Sequence, residues 1–190
     1  MKLTALPVFI GVMMPFLALS QPAPKTEPIA YISGGTTPDT VAAPKVLCIA
    51  VLEFVNISPA PSRIIRLTSE RIRERIILKN KYRTVDAGQI WAVCKDGGYP
   101  RSDSLSVTQM VKLGLALEAD YLITGLVADY HEGDIEFKKR RIELLGKLYD
   151  CRDGKIVAME SVKASGKGDI RSVVNDAAGK LAGRLTGKIR

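Results

Sequence analysis

The chain has 190 residues, with 28 Lys or Arg against 20 Asp or Glu, so its formal net charge at neutral pH is +8. A single histidine and three cysteines, with no Cys-x-x-Cys pair, cannot supply the four closely spaced ligands of a structural zinc site. The Walker phosphate loop, the Gly-x-Ser-x-Gly elbow and the His-Glu-x-x-His motif are also absent, so we expect neither a cofactor nor a common hydrolase site.

The first 20 residues have the three parts of a secretory signal peptide. Lys2 supplies the positive charge, residues 3–19 are almost wholly apolar, and Ala18-Leu19-Ser20 places small residues at the cleavage site. Pro7 and Pro15 would break a membrane-spanning or buried helix, which makes those two alternatives weaker. A cleaved signal predicts a periplasmic or secreted product with no transmembrane segment.

Residues 21–44 contain five prolines, Gly34-Gly35 and several threonines. This composition cannot bury a hydrophobic core and is typical of a flexible linker. No cysteine follows the apolar stretch, so we do not expect the lipid anchor of bacterial lipoproteins. The remainder, residues 45–190, has the size of one ordinary domain.

The first half of this domain predicts two strands and one helix. Residues 45–55 form a continuous apolar run rich in β-branched residues, as in a strand that is covered on both faces. Apolar residues share one stripe between Ser62 and Asn80, which predicts a helix, and residues 82–86 predict a short strand parallel to the first. Residues 88–101 contain Trp91 and a glycine-rich turn, and we expect them to be irregular.

The second half predicts a helix capped by Ser104 or Ser106, then three strands, then a helix that begins after Asp169. The Asp153-Gly154 pair marks the last hairpin. The three strands are expected at residues 119–130, 135–149 and 155–164. The element order β-α-β-α-β-β-β-α predicts a two-layer α/β sandwich, in which about three helices cover a mixed five-stranded sheet.

Two groups of basic residues are candidate interaction sites. One lies on the first predicted helix, and the other is the run of residues 138–141. Either could bind an anionic polymer, lipid head groups or an acidic protein, although a charged helix face can also serve solubility alone. Aromatic residues do not alternate with these cations, so we expect no nucleic acid partner. The candidates are Arg63, Arg66, Arg73, Lys138, Lys139, Arg140 and Arg141.

A small exported hydrolase is the enzymatic alternative. It would use His131, the only histidine, beside an acid or beside Cys94 or Cys151. The carboxylates near His131 adjoin the basic run and are more consistent with solvated ion pairs than with acid–base catalysis. They are Asp129, Glu132, Asp134 and Glu136. Because His131 falls in a predicted turn, we expect no catalytic site.

Three stretches of the domain resemble a known family. They are Val46-Leu-Cys-Ile-Ala-Val-Leu-Glu-Phe54, Leu113-Gly-Leu-Ala-Leu-Glu-Ala-Asp-Tyr-Leu-Ile-Thr-Gly-Leu-Val127 and Leu148-Tyr-Asp-Cys-Arg-Asp-Gly-Lys-Ile-Val157. Together they resemble the periplasmic α/β domain shared by the curli secretion component CsgG, the penicillin-binding-protein activator LpoB and the amino-terminal domain of TolB, with the greatest likeness to CsgG-like proteins. Within them, Gly125 and Gly154 are interpreted as turn or close-packing glycines, and Asp120 as the end of a helix-to-strand turn.

This resemblance implies a non-enzymatic adaptor or assembly factor that binds other envelope proteins in envelope biogenesis or secretion. It also implies self-association, because the curli component forms rings, and it leaves peripheral membrane association open. The chain departs from the family in lacking the lipid-bearing cysteine and the TolB propeller. The four cations at 138–141 would not suit a lipid-facing hairpin, so a pore is not expected. The hypotheses rank as adaptor, then binder of an anionic polymer or surface, then enzyme.

Overall fold

The computed structural model describes residues 45–99, 101–133 and 139–189. The predicted signal peptide (1–20), the predicted linker (21–44) and Lys138 lie outside these ranges. Ten elements are present in the described part of the chain: β1 (Cys48–Val51), β2 (Val55–Asn56), α1 (Ser62–Leu78), β3 (Arg83–Thr84), α2 (Ala87–Asp96), α3 (Val107–Ala116), β4 (Tyr121–His131), β5 (Arg140–Asp150), β6 (Ile156–Gly166) and α4 (Ile170–Thr186).

The strands form one mixed sheet in the order β3-β1-β4-β5-β6, with β2 beside β4. β1 runs parallel to both β3 and β4, while β4, β5 and β6 form an antiparallel meander. The predicted α/β sandwich with a mixed sheet is confirmed. The element counts differ, since the described residues hold six strands and four helices instead of five and about three.

The sixth strand arises because the first predicted strand is interrupted. The Phe54 amide donates a hydrogen bond of 2.9 Å to the Ser69 hydroxyl of α1, so the ladder breaks between β1 and β2. The predicted fourth strand, 135–149, corresponds to β5 over residues 140–149. Its described part begins at Arg140, and residues 134–138 lie outside the description.

The fourth helix is α2, which occupies residues predicted to be irregular. Asp86 caps it, because its carboxylate accepts hydrogen bonds from the amides of Gly88 (2.7 Å) and Gln89 (3.3 Å). Such a cap contributes about 1 kcal/mol, which offsets the roughly equal cost of a glycine within a helix. The glycines at both ends of this segment favour a loop in the sequence. The Asp86 cap and the tertiary packing nevertheless make it a helix.

Helices cover both faces of β1, and this corrects the prediction of a single helical layer. Ile49 and Val51 pack with α1 and α4, whereas Cys48 and Ala50 pack with α2 and α3. A strand buried on both faces needs apolar residues at every position, which explains the absence of alternation in its sequence. The last helix matches its predicted inward stripe, since Ile170, Val173, Val174, Ala177, Leu181 and Leu185 are all buried.

The cap of α3 supports a first prediction. The Ser106 hydroxyl accepts from the Gln109 amide at 3.3 Å, and the Gln109 side chain accepts from the Ser106 amide at 2.8 Å, which completes a capping box. Ser106→Ala should therefore lower the free energy of unfolding by about 1 kcal/mol. Ser104→Ala, the matched control, should change it by less than about 0.5 kcal/mol. Urea denaturation measures both, and equal losses would contradict this assignment of the cap.

Candidate functional site

A cleft of about 410 Å³ lies at the carboxyl end of β1, between α1 and α2. We call it the α1–α2 cleft. Most of its lining is apolar, supplied by the end of β1, by α2 and by the loop before α3. The lining includes Leu52, Arg73, Ile90, Trp91, Cys94 and Leu105.

The topology of the sheet explains why a cleft forms here. The chain leaves β1 through α1 on one face of the sheet and leaves β3 through α2 and α3 on the other. The crevice outside the carboxyl ends of parallel strands, where such connections diverge, is the usual ligand site of open α/β sheets. Its volume and apolar lining also fit the usual dimensions of ligand pockets.

Trp91 stands at the rim of the cleft and was missed in the sequence. Its side chain is 63% exposed, and the Lys95 ammonium lies 4.8 Å from the centre of its ring. The sequence signal that would have found it is Asp86 followed three residues later by Gln89, a pattern that marks the start of a helix.

Arg73 brings a charged group into this apolar lining. It is half-buried, and its Nη2 donates a hydrogen bond of 3.0 Å to the Val51 carbonyl. Its Nε is buried without a hydrogen-bond partner among the described residues. Burial lowers the pKa of Arg73, and the charges of Asp86 and Glu70 oppose that shift.

Arg73 differs from the other cations that line the cleft. Arg66 lies 3.8 Å from Glu70, and Arg101 lies 3.5 Å from Asp103. Within the described ranges, no carboxylate lies within 4 Å of Arg73. Among the described residues, the cleft therefore contains a partly desolvated guanidinium on which Asp86 and Glu70 act only from beyond 4 Å.

The remaining predicted site residues lie elsewhere. Arg63 contacts Glu132 at 3.6 Å, and Arg141 contacts Asp129 at 2.7 Å, which confirms ion pairs for these two carboxylates. The other two predicted carboxylates, Asp134 and Glu136, lie outside the described residues. The contact between Arg63 and Glu132 brings the start of α1 close to the end of β4. Two further predicted cations lie on β5 or just before it: Arg140 donates to the Gly168 carbonyl, and Lys139 is exposed. The structure thus divides the predicted set, and of its described members only Arg66 and Arg73 line the cleft.

The sheet contradicts the form of the hydrolase alternative in which His131 would act beside Cys151. His131 is in register with Arg141 near the start of β5, whereas Cys151 follows the other end of that strand. Ten residues of strand place them roughly 33 Å apart. Among residues 45–99, 101–133 and 139–189, no group of three His, Cys, Asp or Glu side chains is placed to hold a metal ion. No helix of the described residues is long and apolar enough to cross a membrane.

The three cysteines are free thiols in very different surroundings, which gives a second prediction. Cys48 and Cys151 are buried, and burial, with a smaller effect of Asp150, raises the pKa of Cys151 to about 12. Cys94 is only partly buried and lines the cleft, although burial raises its pKa as well. A maleimide should therefore modify Cys94 at least about tenfold faster than either buried thiol. Peptide mass spectrometry measures the three rates, with urea-unfolded protein as the control in which they converge. Faster modification of Cys151 would contradict the fold.

No protein-family model matches the chain, and no curated protein matches it either. Solved structures do match. PelC from Paraburkholderia phytofirmans, described as a dodecamer, has a TM-score of 0.53 and 12% identity over 73% of this chain and 87% of that chain. The lipoprotein GNA1162 from Neisseria meningitidis has a TM-score of 0.53 and 14% identity over 74% of this chain and 99% of that chain.

The family suggested by the sequence motifs is represented among the weaker matches. The LpoB carboxyl-terminal domain from Escherichia coli has a TM-score of 0.45 and 15% identity over 64% of this chain and 84% of that chain. A TM-score this low supports no argument about function. The closeness to CsgG that the motifs implied is not shown. What the comparisons show is that this chain shares its α/β fold with PelC and GNA1162.

Proposed function

We propose that this chain is a non-enzymatic, envelope-associated protein that binds another envelope protein through the α1–α2 cleft. The observation that carries the proposal is the combination of an apolar cleft, a largely exposed tryptophan at its rim and arginines beside it. Tryptophan and arginine are the residue types that most often dominate the energy of protein interfaces. The finer expectation, from the sequence, is an adaptor or assembly factor in envelope biogenesis or secretion.

Three observations support a place in the envelope. The sequence begins with a predicted signal peptide, its motifs resemble a periplasmic domain, and GNA1162, which shares the fold, is described as a lipoprotein. The comparisons point to no enzyme family.

Photo-crosslinking in intact cells tests the proposal. Benzoylphenylalanine would replace Lys95, one helical turn from Trp91, and in a matched variant it would replace Val157, which is exposed on β6. We expect one discrete adduct from position 95 only, with an envelope protein identified in it by mass spectrometry. Adding Trp91→Ala should reduce this adduct about tenfold or more, because a buried interface tryptophan typically contributes 2 kcal/mol or more. An adduct that forms equally at position 157, or that survives Trp91→Ala, would refute the use of the cleft.

Binding to an anionic polymer or membrane surface is the second candidate. It is favoured by the helical face formed by residues 62–79 and 169–188, which carry ten Lys or Arg against four Asp or Glu. Such binding is screened by salt, so co-sedimentation with vesicles of anionic phospholipid should fall steeply between low and high salt. Equal sedimentation with neutral vesicles would exclude it.

Self-association is a further part of the proposal. It follows from the curli resemblance, and PelC, which shares the fold, is described as a dodecamer. Light scattering on the purified chain should give a mass several times that of one chain. The mass of a single chain across the micromolar range would contradict it.

A further inference from the structure

We propose that the α1–α2 cleft recognises a peptide segment in which an Asp or Glu stands next to a bulky apolar side chain. This inference rests on the proposed function and names the chemistry of the partner. Two features of the cleft set requirements for a ligand: an arginine, Arg73, with no carboxylate of the described residues within 4 Å, and an apolar lining.

Arg73 supplies the first requirement. A guanidinium taken partly out of water loses hydration that only an anion or several hydrogen bonds can replace. One nitrogen of Arg73 donates to the Val51 carbonyl, but no carboxylate of the described chain lies within 4 Å of the group. A carboxylate brought by a partner would form a charge-assisted hydrogen bond there, in surroundings drier than bulk water.

The lining supplies the second requirement. Leu52 and Ile90 are almost completely buried, and with Leu105 they form an apolar wall beside Arg73. An apolar side chain that enters the cleft would be removed from water, at a gain of about 25 cal/mol for each Å² buried. The apolar group and the carboxylate must therefore be close neighbours in the ligand.

The extent of the surface favours a peptide over a small free molecule. Trp91 and Arg66 both line the cleft, but they are 63% and 76% exposed, so much of their surface extends beyond the cavity. A ligand confined to the cavity would cover only part of either side chain, whereas an extended segment passing through it would cover more of both.

The charge of the rim also favours an acidic segment. Three cations line the cleft against two carboxylates, Glu53 and Glu70. The cations are Arg66, Arg73 and Arg101. A partner segment with one or more carboxylates complements this surface, and a basic segment would be repelled.

The test is a selection of phage-displayed random heptapeptides on the full chain, run in parallel on Arg73→Gln and Arg73→Lys. On the wild type we expect Asp or Glu to be enriched next to Leu, Ile, Phe or Trp. On Arg73→Gln the acidic enrichment should disappear while the apolar enrichment stays, and Arg73→Lys should restore part of it. A synthetic peptide from the selection should bind about tenfold more weakly when Glu is replaced by Gln, since a hydrogen bond to a charged group contributes about 1.5–3 kcal/mol. Trp91, the only tryptophan, reports binding by its fluorescence.

Several outcomes would overturn the inference. These are selected peptides without acidic residues, an enrichment of Lys or Arg, and no enrichment at all. Octanoate is a free amphipathic carboxylate. If it binds more tightly than the selected peptide and displaces it, such a small carboxylate, and not a peptide segment, is the ligand. If Arg73→Gln does not fold, the affinities of the Glu and Gln peptides for the wild-type chain test the inference instead, and equal affinities would contradict it. A crosslink at position 95 combined with non-acidic peptides would defeat this inference alone, whereas loss of that crosslink would defeat the proposed function.

Discussion

Gly125→Ala is expected to lower the free energy of unfolding by about 3 kcal/mol, the upper part of the range for overpacked cores. Gly125 lies in the middle of β4, opposite Gly146 of β5. A methyl group at this position would stand 2.4 Å from the Phe54 ring and 2.5 Å from the Leu145 carbonyl oxygen. Phe54 is only 2% exposed, and the carbonyl belongs to the paired strand, so neither group can move aside without disturbing the sheet.

Differential scanning calorimetry measures this effect, and a drop in melting temperature of roughly 6–12 °C is expected for a domain of this size. Gly168→Ala is the matched control. A methyl group there meets nothing within 4 Å, so its effect should stay within about 0.5 kcal/mol. If the melting temperature of Gly125→Ala equals that of Gly168→Ala, the close packing of Phe54 against β4 is wrong.

Gly125 also illustrates what the sequence could predict about this fold. Gly125 and Gly154 were interpreted as turn or close-packing glycines, and the structure shows that Gly125 is closely packed while Gly154 has a left-handed φ of +67° in a turn. The longest periodic segments, α1 and α4, appear where predicted, because an amphipathic stripe of four or more turns leaves little ambiguity. The first strand was interpreted as covered on both faces, and it is.

The candidate site was harder to predict. The sequence does not distinguish Arg63, Arg66 and Arg73, because all three are cations on the same predicted helix. Only the packing of α1 against the sheet separates them, since Arg73 reaches the Val51 carbonyl at the end of β1 while Arg63 lies beside Glu132. Trp91 was missed because α2 is short and begins with glycine-containing sequence, so local propensity and the Asp86 cap point in opposite directions.

Asp120→Ala is expected to lower the free energy of unfolding by about 2 kcal/mol, since it leaves a buried donor unpaired. One oxygen of Asp120 accepts from the Cys48 amide at 2.8 Å, and the other contacts the Lys45 ammonium at 2.6 Å. Its own amide donates to the Cys48 carbonyl, and its carbonyl accepts from the Cys151 amide. Asp120 thus joins the start of β1, the start of β4 and the end of β5. With the carboxylate gone, the amide of Cys48, a residue only 5% exposed, would have no acceptor.

Asp120→Asn separates the hydrogen bond from the charge. The amide oxygen can still accept from Cys48, so at neutral pH the loss should be smaller, about 0.5–1 kcal/mol. Asp176→Asn is the control. It removes an exposed pair with Lys180, and such surface pairs contribute little, so its effect should stay within about 0.5 kcal/mol. Urea denaturation at pH 7 ranks the variants, and a loss for Asp176→Asn equal to that for Asp120→Ala would contradict the special role of Asp120.

The acid range tests the charge of Asp120 directly. Burial alone would raise the pKa of Asp120, but the hydrogen bonds from Lys45 and the Cys48 amide outweigh it, and the pKa lies below its usual value. A carboxylate whose pKa is lower in the folded state stabilises the fold above the unfolded pKa of about 3.9. That stabilisation is lost as the pH falls through the folded pKa. The gap in unfolding free energy between wild type and Asp120→Asn should therefore narrow below about pH 4. Asp150, whose pKa is lowered by its hydrogen bonds with Arg152, titrates in both proteins and does not affect the gap. A gap that stays constant down to pH 3 would mean that the carboxylate of Asp120 acts only as a hydrogen-bond acceptor and that its charge contributes nothing to the junction of the three strands.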